Sequence, residues 1–216
     1  MNLEKLRKIQ EDIAKRVELS DMYPIEEVEY VIGVDQAFLN DEVISCAVKY
    51  TFPDLEKVDE VVEVEKVRFP YIPTFLMFRE GKPAINAVKK IADGNSVILV
   101  DGSGIAHPRR CGLATYLAVY LKKPSIGITK KKLFGNAVKI DDSLWKLMDG
   151  DRLIGYSLKS CKRCNPIYIS PGSFISPKTS LKIVKMCLRG YKLPEPVRMA
   201  DRLAREFKRS LTSKLK

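Results

Sequence analysis

Val31-Ile32-Gly33-Val34-Asp35 and Val97-Ile98-Leu99-Val100-Asp101 each run an apolar strand-like block into a single aspartate. Continuous apolar runs of this length suit central parallel strands, which are buried on both faces. A carboxylate at such a position is costly unless it is paired or binds a cation. The end of a strand in an α/β sheet is also where ligands gather. If the two blocks are neighbours, their aspartates lie side by side, and two like charges that close push one pKa upwards. A divalent cation removes that conflict.

The surrounding sequence supplies the other elements. Leu3–Leu19 has Leu3, Leu6, Ile9, Ile13 and Val17 at the spacing of one helix face. Tyr30–Phe38, Val43–Phe52 and Val58–Val67 read as three strands of an antiparallel meander, the last alternating Val with Glu and Lys like a half-exposed edge. Pro70-Tyr71-Ile72-Pro73 interrupts the chain, and Thr74 to Ala92 follows as a helix expected to break near Gly81–Pro83. After the Val97–Val100 strand come a Gly102-Ser103-Gly104 loop, a helix over Arg109–Leu121 and a buried strand over Pro124–Ile128. Arg152–Lys159 and Pro166–Ser170 read as extended, and Pro177–Leu188 and Pro196–Leu211 as helices with proline in the first turn. A meander feeding into α/β units predicts an α/β fold of ribonuclease H-like architecture. Its mixed central sheet joins the antiparallel meander to parallel strands and is flanked by helices. The doubly wound flavodoxin-like class is the alternative.

The chain has 216 residues, 45% of them hydrophobic, which suits one domain over 1–216 with a core of its own. No apolar run reaches the length of a bilayer span, and the N-terminal residues carry no apolar signal core, so a cytoplasmic protein without membrane contact is expected. The net charge is +11, and it is unevenly spread. Gly102–Ile140 holds eight Lys or Arg and no acid, and residues 178–216 hold twelve basic residues against three acidic ones. The first thirty residues lean the other way, with five basic and eight acidic. A one-signed field over half a chain suits a polyanion, although a solvated surface has the same composition. The five cysteines, an odd number, argue against a secreted disulfide framework. Cys161 and Cys164 make half of a zinc-site spacing with no second half, or alternatively a local disulfide; plentiful Glu and Lys with scarce Gln lean towards a heat-adapted source, where such bonds persist.

Asp35 and Asp101, with Glu80 on the intervening helix as a third ligand, form an all-carboxylate set. Such a set favours Mg²⁺ or Mn²⁺ over zinc, and these ions support phosphodiester hydrolysis. Strand-end aspartates are also common loop caps. Gly102 and Gly104 let a backbone approach a base or phosphate, or simply make a turn. Lys130-Lys131-Lys132 reads as phosphate contacts or as a solvated run. His107 reads as a base or as a structural histidine. Tyr71, stiffened between prolines, reads either as a wedge between bases or as a plug at the core edge.

Together these residues resemble the endonuclease V family. The matching segments are Ile32–Asp35, Pro70–Pro73 running into Phe78-Arg79-Glu80, Leu99–Gly102 running into Gly104–Arg110, Pro124–Gly127 through Lys130, Cys164–Pro166, and Leu193–Pro196 through Arg198 and Ala200-Asp201. The resemblance implies a metal-dependent endonuclease that recognises inosine in DNA and hydrolyses the second phosphodiester bond on its 3′ side, initiating repair. By the same resemblance, Asp35, Glu80 and Asp101 hold Mg²⁺, which Mn²⁺ can replace. Asp201 supports them, and Lys130 steadies the scissile phosphate. Tyr71, Ile72 and Pro73 form the wedge. Leu76, Gly102, Gly104 and His107 surround the flipped base. The partner implied is deoxyinosine-containing DNA, met by a monomer; inosine in RNA and a non-catalytic binder of modified nucleic acid are the alternatives. The chain departs from the family pattern at Thr74 and Ser103, where glycine and histidine are usual, and at Ser173, where histidine is usual. Thr74, which lines the implied pocket, bears on lesion specificity.

Overall fold

The computed structural model describes residues 2–214. In chain order the elements are α1 (Leu3–Ala14), β1 (Tyr30–Leu39), β2 (Glu42–Thr51), β3 (Lys57–Lys66), α2 (Leu76–Lys89), β4 (Ser96–Asp101), α3 (Leu113–Leu121) and β5 (Ser125–Thr129). They continue with β6 (Asn136–Lys139), β7 (Leu144–Asp149), β8 (Arg152–Leu158), β9 (Ile167–Ser173), α4 (Pro177–Met186) and α5 (Glu195–Lys214). The strands form one sheet in the order β3-β2-β1-β4-β5-β9-β8-β7-β6. β1, β4 and β5 run parallel at its centre, and every other pairing is antiparallel. This mixed sheet, with helices on both faces, is ribonuclease H-like. The antiparallel flanks rule out the doubly wound alternative.

The two apolar blocks are central because both of their faces are covered. Side chains alternate across a strand, so Val31, Val97 and Leu99 enter one core with Ile183, Val184 and Val197, while Ile32, Val34, Ile98 and Val100 enter another with Ala84, Val88 and Leu117. β3 is an edge strand, as its alternation predicts, and its outer residues are largely exposed. At Gly33, α5 comes down onto β1: a Cβ there would lie 2.0 Å from the Pro196 carbonyl oxygen. Only glycine permits that approach, which brings the start of α5 over the strand that carries Asp35. No described helix is long and apolar enough to cross a membrane.

Several boundaries differ from the sequence expectation. α1 stops at Ala14, and Val17 and Leu19 leave the helix to pack with Ile105, Ala106, Leu147 and Ile154. α2 runs unbroken through Gly81 and Pro83. Burial of Met77, Ala84, Ile85, Ala87 and Val88 along it offsets the roughly 3 kcal/mol of an interior proline. α3 begins at Leu113, because residues 109–112 are held in a loop: the Gly112 and Ala114 amides donate to the Gly104 and Ser103 carbonyls. The β6–β7 hairpin carries no clear alternation, and β6 is exposed throughout. Cys161 and Cys164 form a disulfide, with Cα atoms 5.2 Å apart, so the zinc alternative falls away; Cys46, Cys111 and Cys187 are buried free thiols.

The Gly33 contact gives a direct stability test. Gly33→Val should destabilise the protein by about 1–3 kcal/mol or more in urea unfolding, because the added atoms meet backbone that cannot move without lifting α5. A variant as stable as the parent would show that α5 docks elsewhere.

Candidate active site

The last parallel register pair between β1 and β4 is Val34 with Val100, so Asp35 and Asp101 follow one residue later on adjacent strands and on the same face. Asp35 is only 9% exposed, and its Oδ1 accepts the Gln36 amide at 2.7 Å. Burial pushes its carboxyl up to about 8, and the charges of Asp101 and Asp201 add to that rise, against the Gln36 amide and Lys130. Glu80, on α2, is also 9% exposed. Burial pushes it up to about 7, with Asp101 adding and Arg79 opposing. No side-chain or backbone donor among the described residues hydrogen-bonds to its carboxylate.

Lys130 supplies the positive charge in this arrangement. Its ammonium donates to Asp101 Oδ2 at 2.6 Å. Burial alone would lower its pKa, but Asp101, Asp35 and Asp201 together raise it. Asp201 reaches the same field from α5, where it pairs with Arg205. Among the described residues no three acidic, histidine or cysteine side chains are drawn within coordinating reach of one point. The residues nevertheless suit a hard cation: the set is all carboxylate, burial makes Asp35 costly to ionise without a positive partner, and Glu80 lacks a donor. Asp35 and Asp101 lie side by side, and Glu80 and Asp201 are the carboxylates that would have to close on them to hold one.

A cavity of about 490 Å³ opens beside these acids, lined among others by Asp101, Lys130, Tyr71, Thr74, Leu76 and His107. Pro73 and Gly102 line it as well. Tyr71 is 66% exposed at its rim, which excludes the core-plug reading. Ile72 does not line the cavity; its carbonyl accepts the Phe75 amide in the turn that follows. Gly104 stands apart from the expectation too. Its missing side chain makes room for β9, since a Cβ would lie 2.1 Å from the Pro171 carbonyl oxygen, and it does not line the cavity. His107 is buried, and its Nδ1 accepts the Arg109 amide at 3.2 Å while Nε2 lies 3.0 Å from the Thr74 carbonyl oxygen. Burial pulls its pKa down to about 4, so it is neutral at physiological pH, with Nε2 as the donor. The hydroxyl of Ser103 donates to the Ala106 carbonyl at 2.6 Å, bracing the loop, and Ser173 Oγ accepts the Glu18 amide at 2.9 Å.

Two polar residues that line or brace this cavity are not evident from sequence. Gln10 is 1% exposed and bonds to Thr74, Cys111 and Arg109. Arg109 binds both the carbonyl and the hydroxyl of Thr74 and lies 4.4 Å over the Phe75 ring. The available signal is a glutamine in the row Leu6, Gln10 and Ile13, the inward-facing stripe of α1.

A ribonuclease H-like sheet, two aspartates side by side on its adjacent central strands β1 and β4, and a strongly basic flank define an enzyme of the nuclease class. The sequence profile of Endonuclease V matches residues 11–202, and the chain belongs to the Endonuclease V family. A relative named Endonuclease V from Archaeoglobus fulgidus is 66% identical over 218 residues, spanning 100% of this chain and 99% of that protein. The crystal structure of Endonuclease V from Streptomyces avermitilis is 30% identical, with a TM-score of 0.88 over 98% of this chain and 95% of that one. That of Ciona intestinalis Endonuclease V, in complex with a 24mer DNA containing an inosine followed by a ribo-adenosine, is 25% identical. Its TM-score is 0.87, over 97% of this chain and 98% of that one.

The charge at Asp35 works against folding, and its sign can be tested. The folded pKa of about 8 lies above the ordinary 3.8, so the folded protein binds the proton more tightly and loses stability as pH rises between these values. In chelator at pH 8, Asp35→Asn should therefore raise stability by about 1–3 kcal/mol. It should also flatten the pH dependence of melting. Destabilisation at that pH would show that the carboxylate is already well compensated by its neighbours.

Proposed function

We propose that the protein hydrolyses the second phosphodiester bond 3′ to inosine in DNA, opening the repair of a deaminated adenine, with Mg²⁺ or Mn²⁺ held by Asp35, Glu80 and Asp101. The observation that carries this reading is the adjacency of Asp35 and Asp101 on parallel strands, beside a cavity with an exposed tyrosine at its rim. Such a cation, when bound, activates water and neutralises charge on the scissile phosphate. Asp201 helps to orient the acid set. The Lys130 ammonium, at 2.6 Å from Asp101, is placed to leave that carboxylate for a phosphate oxygen. Tyr71, between Pro70 and Pro73, fills the gap left when the base swings out, a movement that costs a few kcal/mol. The Gly102 backbone, Leu76 and His107 line the cavity that receives the base. One chain carries every group named, so a monomer suffices.

The ribo-adenosine beside inosine in the Ciona intestinalis complex makes RNA the second substrate to test. Matched single-inosine DNA and RNA strands, cut with Mg²⁺ and with EDTA and read at nucleotide resolution, decide between them; cleavage of RNA alone would transfer the proposal to an endoribonuclease. Asp101→Asn should abolish cutting while inosine-DNA binding stays close to the parent, because phosphate and base contacts survive. Cutting above about a tenth of the parent rate would remove Asp101 from the chemistry. Lys130→Ala should lower the single-turnover rate more than the affinity, with Lys131→Ala and Lys132→Ala as controls, and an unchanged rate at saturating enzyme would place Lys130 on an ordinary solvated face.

Tyr71→Ala tests recognition separately. It should weaken binding to an inosine duplex by roughly five- to a hundred-fold, the usual worth of a base–aromatic contact. Undamaged duplex should lose far less, and equal losses on both would reduce Tyr71 to a general contact.

A further inference from the structure

α1 buries one residue, and it is polar. Gln10 is 1% exposed on a helix whose other residues are exposed or half-exposed. Its Nε2 donates to the Thr74 carbonyl at 2.9 Å and to the Cys111 carbonyl at 3.2 Å, and its Oε1 accepts from Arg109 Nε at 2.6 Å. All three hydrogen bonds reach across at least 64 residues of chain.

The residue at the centre of this contact has an unusual backbone. Thr74 has φ of +68°, in the left-handed region that a β-branched side chain disfavours. For an L-residue that conformation costs about 1–2 kcal/mol, or roughly a five- to thirty-fold loss of population. The surroundings over-determine it. The Thr74 carbonyl accepts from Gln10 Nε2, from Arg109 Nη2 at 2.8 Å and from His107 Nε2 at 3.0 Å, and its hydroxyl accepts from Arg109 Nη2 at 2.6 Å. Thr74 lies three residues after Tyr71 and follows the Pro70–Pro73 segment, whose other end is held by a single described side-chain hydrogen bond, from Arg79 Nη1 to the Phe69 carbonyl at 2.8 Å. Backbone strain that is held by several converging donors is typical of sites where the held geometry is used.

We propose that Gln10 is a positioning residue for lesion recognition: with Arg109 and His107 it locks Thr74 in the left-handed conformation, and so holds the Tyr71 segment rigid before substrate arrives. This rests on the wedge reading of Tyr71 given above. α1 is then part of the recognition apparatus, although no residue of it touches the acids. The entropy of ordering the wedge is lost on folding rather than on binding, which favours the rare event of insertion at a lesion over general contact with DNA.

The test separates the clasp from its use. Gln10→Leu, Thr74→Gly and the double variant are compared by segment-resolved hydrogen exchange over residues 70–78 of the free protein. Binding to a labelled duplex with and without one inosine is then measured in EDTA. Gln10→Leu should speed exchange in that segment by about ten-fold and narrow the inosine preference by a similar factor, the population that the strain would release. Glycine needs no clasp at this position, so in the Thr74→Gly background the same change should alter each quantity by less than about three-fold. Equal effects in both backgrounds would overturn the proposal and leave Gln10 a plain stabiliser of α1. Faster exchange with unchanged inosine preference would overturn its role in recognition. If the parent protein shows no inosine preference at all, the wedge reading fails, while the exchange data still decide whether Gln10 acts through Thr74. If Gln10→Leu does not fold, Gln10→Glu keeps the shape and the Arg109 contact but aims an acceptor at two carbonyls, and carries the same expectations.

Discussion

Parallel pairing of β1 with β4 places two carboxylates next to each other at the edge of a dry core, and much of the remaining structure answers that constraint. Neither aspartate can move away: Asp101 ends β4 and Asp35 lies within β1, and the residues before each are locked on both faces by packed side chains. Water is largely excluded from Asp35, so its charge is neither solvated nor matched by a close donor other than one amide. In a medium of low effective dielectric the repulsion cannot be screened as it would be at a surface. Lys130 is drawn to Asp101 for this reason, and a hard cation would satisfy the same demand more fully.

The fold brings the remaining groups to that point by close backbone contact rather than by long side chains. Gly33 admits the start of α5, and the first two turns of that helix then carry Asp201 into the field of Asp35. β5 lies next to β4, so the residue after its end, Lys130, emerges beside Asp101. Glu80 comes from α2, whose apolar side is pressed onto the sheet, and its burial follows from that packing rather than from any partner of its own. Each acid is thus placed by an element with its own reason to be there, and the one hydrogen bond among the described groups of the site is that of Lys130 with Asp101.

The parts visible in the sequence were those determined by local pattern. The apolar blocks before Asp35 and Asp101 announced central strands, because a strand covered on both faces must be apolar throughout. The alternation of Val58–Val67 announced an edge. What stayed hidden depends on contacts distant in the chain. The apolar spacing of Leu113, Leu117 and Leu121 lets a helix be extended back to Arg109, yet the Gly112 and Ala114 amides donate to the Gly104 and Ser103 carbonyls and the helix starts at Leu113. The Pro83 break did not occur because tertiary burial outweighs the local penalty. Gly104 reads as a residue for approaching a ligand, but the sequence does not show the demand that the fold makes of it, room for the Pro171 carbonyl. The stripe of α1 marks Gln10 as inward-facing but not what it meets: its partners lie at Thr74, Arg109 and Cys111, and nothing in the helix itself names them.

The acid cluster and the Tyr71 segment meet at one cavity but are organised by opposite physics. At the acids, stability is sacrificed by gathering like charges where water cannot relieve them, so that the protein has most to gain from a cation and a phosphate arriving together. Beside the tyrosine, the left-handed backbone of Thr74 is held by several converging donors, so that the end of the Tyr71 segment is ordered in the free protein. Both arrangements carry an unfavourable local term in the free protein that the surrounding fold is stable enough to hold. Asp101, Thr74 and Tyr71 line the same cavity, and its walls join the two devices. Under the function proposed above, a base held there would lie between Tyr71 and the acids, and recognition would be coupled to the chemistry by position, through the shared walls of one cavity.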